Sequence, residues 1–493
     1  MWNVEPIFSG GTMFGMYEIT CDGRRYFGNV SLKEFHRFTR NSDTYLFNVE
    51  KMTLHKISES KSRIIDRVLS SFGGLVPASM FEELREIDLT DEPQSEEVDA
   101  KGNNCEGVEQ TSEFGVRNIA LFVAQLCNMR CVYCYGQGGE YGGKGMMSEE
   151  TAFMAVDWLM ENSKSIETLN ISFFGGEPLL NFPLIKKTVE YAKERAAQRN
   201  KKVGFGITTN ASLLTEEIID FMKNEKINTM VSFDGSADIQ NRQRPFADGS
   251  ASYDGVSANI QKLLAVFPGT SARATVYGDT DPFEIKDGMK KAGFKTFFAM
   301  KASPVILAGG NHEASSSATA EDMSRRMMEY TEKGWDGFVE AVRNRNADVQ
   351  QIRQIPQPLI TGEKCYFACG IGKGMAGISV SGDIYPCHRF VGLEDAKIGN
   401  ITDYKVGGIN DYHRSIVNNL PKCSPCWARY ICGGGCFYDN KSLTSDMRIP
   451  DAFFCNEMKA AAEMAIAVFA QLDAADKEYL KGLYKNLVDK KLS

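Results

Sequence analysis

Apolar and β-branched runs alternate with helical periodicity between residues 115 and 301. The runs that predict strands are 119–125, 169–174, 203–208, 227–233, 271–276 and 295–300. The helical stretches between them are 183–198, 215–224, 253–266 and 282–292, with one more that begins at the capping sequence Ser148-Glu149-Glu150. Six strand–helix units predict a parallel sheet with right-handed crossovers, fewer than the eight units of a closed barrel. In such sheets the chemistry lies beyond the carboxyl ends of the strands.

The pattern changes on both sides of this array. Strand-like runs at 16–20 and 45–49 and a helical stretch at 57–69 predict a small N-terminal α+β module. The acidic, polar stretch that follows predicts either a solvated linker or a partly helical connector. The predicted domains are 1–80 for the module, 81–114 for the linker, 115–310 for an α/β core, 311–361 for a helical bridge, 362–456 for a glycine- and cysteine-rich region and 457–493 for a C-terminal helix.

Composition and charge narrow the class of protein. The 493 residues suggest about three domains, with 43% apolar and 24% charged residues as in ordinary globular proteins. A net charge of −8 argues against nucleic acid or an anionic membrane as a partner. No apolar run reaches the length of a membrane span, and the N-terminus lacks the order of a signal peptide. We therefore expect a cytoplasmic protein, in which thiols stay reduced.

The thirteen cysteines are clustered, which in a cytosolic chain indicates metal binding. The first predicted strand runs into Cys127-x3-Cys131-x2-Cys134. Three thiolates on one loop can hold three corners of a cubane iron–sulfur cluster and leave one iron open. A zinc site would need a fourth ligand nearby, and the nearest histidines in sequence, His55 and His312, are distant.

This spacing, with Tyr135 directly after the third cysteine and the loop directly after the first strand, resembles the radical S-adenosylmethionine (SAM) superfamily. The resemblance implies a partial (β/α)6 barrel in which Cys127, Cys131 and Cys134 bind a [4Fe-4S] cluster. SAM would chelate the open iron, and one electron would cleave it to methionine and a 5′-deoxyadenosyl radical. That radical would abstract a hydrogen atom from the substrate.

Further residues extend the resemblance to the ends of the next strands. The motif Gly175-Gly176-Glu177-Pro178 ends the second strand, and in similar proteins it contacts the SAM amino group. Asn210 ends the third strand, and Ser232, at the end of the fourth, would face the SAM carboxylate or ribose. Arg244, with Arg242 as a rival, would reach the carboxylate, and Tyr135 would pack near adenine. Gln240-Asn241 stand where related sequences often have His-Asp.

The C-terminal cysteines resemble the SPASM domain that follows many radical SAM enzymes. The string reads Cys365-x3-Cys369, Gly382-x4-Cys387, Cys423-x2-Cys426-x5-Cys432-x3-Cys436 and Cys455, although the spacing of its 423–436 part alone would also suit a zinc ribbon. The resemblance implies two auxiliary [4Fe-4S] clusters with interleaved ligands. Auxiliary cluster I would be held by Cys365, Cys369, Cys387 and Cys436, and auxiliary cluster II by Cys423, Cys426, Cys432 and Cys455. Cys21 and Cys105 are left over.

Enzymes of this kind mostly modify peptides or proteins, so the resemblance implies a precursor peptide or protein substrate and a flavodoxin- or ferredoxin-type electron donor. The N-terminal module resembles the winged-helix element that binds a leader peptide by strand addition. Sulfatase-maturing relatives have Asp directly after the cysteine of the Gly-x4-Cys segment, where this chain has His388; Asp383 is a second candidate base.

We therefore expect a radical SAM maturase that forms a thioether at a substrate cysteine. Formation of C–C or C–O crosslinks and of formylglycine are alternatives within the same class. A multi-cluster electron-transfer protein without catalysis and a zinc-binding adaptor are the alternatives from other classes. The first predicts no SAM cleavage, and the second predicts a colourless protein.

Overall fold

The structure is a computed structural model, and it describes residues 13–21, 24–32, 34–70, 75–77, 86, 89, 115–303, 320–352, 355–371, 374–403 and 416–492. Most of the predicted linker at 81–114 lies outside the described residues, as do Cys105 and His312. Among the described residues there is no helix with both the length and the apolar character needed to cross a membrane.

A parallel sheet forms the centre of the molecule, and its strands match the six predicted runs within one or two residues. They are β7 (Asn118–Gln125), β9 (Thr168–Gly175), β10 (Lys202–Thr209), β11 (Asn228–Ser232), β12 (Ser271–Val276) and β13 (Thr296–Lys301). Each of these strands pairs in parallel with the next, in the order β13-β12-β11-β10-β9-β7. The two-residue strand β8 (Gly145–Met146) adds an antiparallel bridge to the end of β7. The predicted parallel arrangement is confirmed.

Helices cover one face of this sheet. They are α2 (Glu149–Asn162), α3 (Phe182–Gln198), α4 (Glu216–Asn224), α5 (Ala237–Gln243), α6 (Tyr253–Val266) and α7 (Pro282–Lys291). The side chains of Ser148, Thr215 and Asp281 cap three of them by accepting hydrogen bonds from backbone N–H groups. The short helix α5 was not predicted, because seven mostly polar residues carry little periodicity.

The two faces of the sheet differ in character. Alternate residues such as Ile171, Ile207, Ala272 and Ala274 are buried in the core against the helices. The other residues, among them Ser172, Thr208, Ser232 and Arg273, lie on the opposite face, because side chains alternate along a strand. We call this opposite face the inner face.

The cysteine-rich region is joined to this sheet, which the sequence pattern did not predict. Strand β14 (Met375–Ile378) pairs in parallel with β7, so that Met375 lies opposite Asn118. Strands β15 (Asp383–Tyr385) and β16 (Gly399–Asn400) continue the sheet antiparallel. These strands are two to four residues long, too short to show a period of two in the sequence.

The described part of residues 13–77 forms two small sheets and one helix. Strands β1 (Met13–Cys21), β2 (Arg24–Leu32) and β6 (Leu75–Pro77) form one sheet. Strands β3 (Phe35–Arg40), β4 (Asp43–Asn48) and β5 (Thr53–Ile57) form an antiparallel second sheet, followed by helix α1 (Glu59–Ser70). Leu89, within the predicted linker, is fully buried beside Leu46, Ile57 and Ile65, and Glu86 is helical.

The remaining α-helices of the described residues lie between residues 320 and 492. They are α8 (Ala320–Gly334), α9 (Phe338–Arg343), α10 (Val349–Ile352), α11 (Gln357–Thr361), α12 (Arg429–Cys432), α13 (Phe437–Thr444), α14 (Ala452–Phe469) and α15 (Ala474–Leu492). The predicted C-terminal helix at 457–493 is thus two helices, and the first begins earlier. Asp451 caps α14, which places Cys455 in its first turn.

Candidate active site

The first cysteine loop begins directly after β7 and is held in place by backbone hydrogen bonds. The N–H groups of Arg130 and Val132 donate to the carbonyls of Pro245 and Gln243, and the Met129 N–H lies 3.4 Å from the Cys127 Sγ. Cys127, Cys131 and Cys134 are half-buried. The loop is therefore positioned by the end of the parallel sheet and by the segment that follows α5.

Three glycines allow other segments to pack against this loop. A Cβ at Gly176 would lie 2.2 Å from the Leu126 carbonyl oxygen and 2.9 Å from the Cys127 Cβ. A Cβ at Gly139 would also lie 2.7 Å from the Cys127 Cβ, and Gly175 has a φ of +131°. The Gly-Gly pair thus brings the end of β9 against the cysteine loop, in addition to the approach to a ligand that the sequence suggested.

Glu177 joins the ends of two strands. It is fully buried, and its carboxylate accepts hydrogen bonds from Leu179 N at 3.1 Å, Thr209 Oγ1 at 2.8 Å and Asn210 N at 2.7 Å. Burial raises the pKa of Glu177 to about 7, although these donors act in the opposite direction. Asn210 in turn donates to Asn128 Oδ1 and lies 3.9 Å from the Cys127 Sγ.

Arg244 faces the cysteine loop, whereas Arg242 does not. The Arg244 side chain is buried and donates to the Tyr133 hydroxyl at 2.7 Å, and that hydroxyl donates to Asp234 at 2.6 Å. Its Nε is buried and has no hydrogen-bond partner among the described residues. Arg242 is exposed and pairs with Asp279 at 3.6 Å. An orphaned guanidinium N–H beside the cysteines suits an anionic ligand there.

Gln240 and Asn241, which stand where related sequences often have His-Asp, form hydrogen bonds with the surrounding backbone. Gln240 accepts a hydrogen bond from Asp234 N at 2.9 Å and donates to Ser252 Oγ. Asn241 accepts from Ser252 N and Tyr253 N, at the start of α6. In this chain Gln240 and Asn241 therefore support Asp234 and α6.

The chemistry of the cysteines fits a cationic cluster. Burial raises the pKa of Cys127 to about 11 and that of Cys131 to about 12, and repulsion by the neighbouring thiolates raises both further. Thiols in such surroundings become thiolates when metal cations supply the compensating charge. Among the described residues, no three Cys, His, Asp or Glu side chains lie close enough together to hold a single metal ion. In a cubane cluster each thiolate binds a different iron, so the cysteine side chains can lie farther apart than the ligands of a single metal ion.

The C-terminal cysteines fall into two neighbourhoods. Burial raises the pKa of Cys387 to about 12, and repulsion by the Cys436 and Cys369 thiolates adds to this effect. Burial raises the pKa of Cys423, Cys432 and Cys455, and a nearby Cys426 thiolate adds to the effect on all three. The two neighbourhoods interleave in sequence. Cys365 is different, because its Sγ donates to the Phe367 carbonyl at 2.9 Å.

Arg389 connects the first cysteine loop with the Cys387 neighbourhood. It forms two contacts with Asp439, at 2.7 and 2.8 Å, and its Nη1 lies 3.0 Å from the Cys436 Sγ. Its guanidinium also lies 5.3 Å from the ring of Tyr135 and 4.4 Å from that of Tyr438. Tyr135, predicted near adenine, packs against Tyr141 and Tyr438. The role of Arg389 was not predicted, because no motif marks it.

The two candidate bases have different surroundings. His388 is half-buried, and its ring packs against Phe174 at the end of β9, with centroids 5.0 Å apart. Desolvation lowers the pKa of His388 to about 4, with Arg389 and Arg273 adding to the effect, so the ring is neutral at pH 7. The Asp383 carboxylate interacts with Lys397 at 2.7 Å, and it also accepts from Asn400 and Ser381. These partners keep Asp383 ionised and fully engaged.

Comparisons with known proteins bear on this site. The Radical SAM superfamily model matches residues 121–288. The uncharacterized protein MJ0907 of Methanocaldococcus jannaschii is 36% identical over 138 residues, which is 28% of this chain and 45% of that protein. The serine-type anaerobic sulfatase-maturating enzyme of Bacteroides thetaiotaomicron is 25% identical over 348 residues, which is 66% of this chain and 83% of that enzyme. This chain therefore spans less than half of the first relative but most of the second.

A solved structure shares the fold. Native anSMEcpe with bound AdoMet and Cp18Cys peptide superposes with a TM-score of 0.59 at 19% identity, covering 72% of this chain and 98% of that one. The chain therefore carries a radical SAM domain at residues 121–288, and over 66% of its length it is similar to an anaerobic sulfatase-maturating enzyme.

Proposed function

We propose that this enzyme is a maturase that modifies a ribosomally made peptide or protein. The observation that carries the proposal is the connection through Arg389 between the first cysteine loop and the Cys387 neighbourhood. A radical SAM site directly linked to a second cysteine group suits an oxidation in which electrons leave the substrate. Homology to sulfatase-maturating enzymes and the peptide bound by anSMEcpe support a peptide substrate.

In this proposal each cysteine group holds one [4Fe-4S] cluster. Cys127, Cys131 and Cys134 would hold the cluster that binds SAM. Auxiliary cluster I would use Cys369, Cys387 and Cys436, with Cys365 as its fourth ligand after its contact with Phe367 is released. Auxiliary cluster II would use the mutually close thiols of Cys423, Cys426, Cys432 and Cys455.

The residues around the first loop would orient SAM. Arg244 would bind the SAM carboxylate through its unpartnered Nε, with Ser232 nearby on the inner face. Glu177, Gly175 and Gly176 would shape the site for the amino group, and Asn210 would fix the Cys127 side of the loop. When bound, the cluster and SAM supply an electron and a 5′-deoxyadenosyl radical.

Thioether formation requires acceptors for the atoms and electrons that leave the substrate, and residues of this chain are candidates for these roles. Forming a thioether from a substrate C–H and a cysteine S–H releases one hydrogen atom, one proton and one electron. When bound, SAM would supply the acceptor of the hydrogen atom, and the cysteines of an auxiliary group would hold the cluster that takes the electron. His388, neutral and next to Phe174, would accept the proton. Asp383 is a weaker candidate, since three partners already use its carboxylate.

Formylglycine formation is the second candidate, favoured by the sulfatase-maturating relatives. Like thioether formation, it begins with the removal of one hydrogen atom, one proton and one electron from the substrate. Both reactions therefore need the same base and electron acceptor. The products differ: a thioether consumes the free thiol and adds no carbonyl, whereas formylglycine reacts with hydrazides. The N-terminal module would bind a leader segment by strand addition, and a flavodoxin or ferredoxin would supply the electron.

The proposal is tested by anaerobic reconstitution. We expect about twelve irons per chain, as three cubanes require, and formation of 5′-deoxyadenosine from SAM with dithionite. Replacing Cys127, Cys131 and Cys134 with Ala should abolish the cleavage while the auxiliary absorption remains. Zinc without iron, or cleavage by the triple variant, would contradict the assignment. About eight irons with intact cleavage would show that Cys365 does not complete a third cluster.

A further inference from the structure

Arg273 lies in the middle of β12, on the inner face of the sheet. Its neighbours in the strand, Ala272 and Ala274, are fully buried against the helices, whereas Arg273 itself is exposed. In the sheet it lies opposite Ser232 of β11 and Phe298 of β13. The guanidinium therefore projects from the face that the helices leave open.

Arg273 stands between the two candidate cluster sites. Its guanidinium interacts electrostatically with Tyr133 and Tyr135, which flank Cys134, and with Arg389. It also acts on His388, which follows Cys387. A substrate that reaches from the first cysteine loop to the Cys387 neighbourhood would pass this side chain.

The positive charge of Arg273 has no counter-ion in the described part of the chain. No hydrogen bond or ion pair of its side chain is present there, whereas Asp439 neutralises Arg389 and a carboxylate–phenol pair lies beside Arg244. The next residues on this face are uncharged, and Met300 of β13 is 45% exposed. The surrounding protein also removes water from Arg273 and lowers its pKa.

We propose that Arg273 binds the carboxylate of an acidic side chain in the substrate peptide. An unpaired guanidinium in partly desolvated surroundings favours a planar, bidentate anion. The SAM carboxylate has a different candidate partner in Arg244, which lies closer to Cys127 and Cys131. The inference rests on the proposed function, because it assumes a peptide substrate.

The test compares wild-type enzyme with Arg273→Gln and Arg273→Lys, each reconstituted anaerobically and checked for equal iron content. S-adenosylhomocysteine, measured by equilibrium dialysis, probes the SAM site. A library of cysteine-containing dodecapeptides with Glu or Gln at one varied position, captured on immobilised holoenzyme, probes the substrate site. We expect wild-type enzyme to enrich Glu members about tenfold over Gln members. Arg273→Gln should lose this preference and Arg273→Lys should keep part of it, with S-adenosylhomocysteine affinity unchanged.

Three outcomes would overturn the inference. One is equal capture of Glu and Gln peptides by wild-type enzyme, and another is a preference that survives in Arg273→Gln. The third is a tenfold loss of S-adenosylhomocysteine affinity in Arg273→Gln, which would assign the residue to SAM. If wild-type enzyme binds S-adenosylhomocysteine but captures no peptide, the peptide-maturase proposal fails as well. If wild-type enzyme captures peptides but does not prefer Glu over Gln, only the inference about Arg273 fails.

Discussion

At the scale of single residues, this site is defined by close packing and by buried charge. Gly176 and Glu177 are adjacent in sequence, but different contacts determine these two residues. Position 176 must be glycine because a Cβ there would overlap neighbouring atoms, whereas the Glu177 carboxylate accepts hydrogen bonds from the donors around it. The motif predicted that both residues belong to the site. It did not predict that their immediate neighbours are protein atoms, because packing against Leu126 and Asn210 depends on the folded sheet.

Gly176→Ala should displace the first cysteine loop, since its Cβ would lie 2.2 Å from a backbone oxygen that cannot move freely. We expect loss of about four irons per chain and of SAM cleavage, with the auxiliary clusters retained. Iron analysis and the 5′-deoxyadenosine assay measure both effects. Gly255→Ala in α6 is the matched control, because nothing lies within 4 Å of its Cβ position and the helix should gain up to about 1 kcal/mol. Full iron content in Gly176→Ala would contradict the packing argument.

Glu177→Gln should change how stability depends on pH. The pKa of Glu177 is about 7 in the folded chain and ordinary in the unfolded chain, so the folded state holds the proton more tightly. Its contribution is therefore complete below about pH 4.5 and is lost as the pH rises towards 7, by at most about 1.4 kcal/mol per unit. Urea unfolding of wild type and variant between pH 4.5 and 7.5 should show this slope only in the wild type. The exposed Glu190→Gln serves as control, and parallel slopes for Glu177→Gln and wild type would disprove the assignment.

At the scale of elements, the sequence predicted the regular array well and the cysteine-rich region poorly. Each predicted strand from 119–125 to 295–300 is present, because apolar runs between capped helices carry a strong periodic signal. Strands β14 to β16 were missed, since they are short and their pairing partners are distant in sequence. The cysteines marked the ligand groups, but nothing in their spacing predicted Arg389 between them.

Replacing Arg389 should alter the auxiliary cluster that we propose at Cys436. A cationic N–H donor 3.0 Å from a ligand sulfur stabilises the more negative, reduced cluster. We therefore expect a lower reduction potential in Arg389→Gln, with a smaller change in Arg389→Lys, measured by EPR-monitored titration of the reconstituted enzyme. The proposed SAM-binding cluster provides the internal control, because the described contact between its loop and Arg389 is made by the ring of Tyr135. An unchanged auxiliary potential would reduce Arg389 to a purely structural partner of Asp439.

At the scale of the whole molecule, the N-terminal module packs directly against the cysteine-rich region. The ring of His36 stacks on Trp427 with centroids 3.7 Å apart, and Arg429 pairs with Glu34 and Glu50. Trp427 and Arg429 both lie between Cys426 and Cys432. The sequence predicted the module as a separate unit, because contacts between residues some 390 positions apart leave no local pattern.

Arg429→Met should therefore loosen this contact. It leaves the half-buried Glu34 carboxylate without its cation, at a cost of about 1–3 kcal/mol after allowance for the exposure of Glu50. Thermal unfolding of the reconstituted enzyme measures the loss. Arg448→Met breaks the more exposed pair with Asp446 and should cost less than about 1 kcal/mol. Equal effects of the two substitutions would mean that the module is only loosely attached.

The pairing of β14 with β7 also has a consequence for biosynthesis. While the ribosome has made only the first 374 residues, residues 118–121 of β7 lack the strand that pairs with them on one edge, although the parallel strands β9 to β13 have already been made. An open edge of this kind is a template for joining another chain. The nascent protein thus remains prone to aggregation until residues 375–378 emerge, and a truncation that removes them would permanently expose this edge of the strand that carries the first cysteine loop.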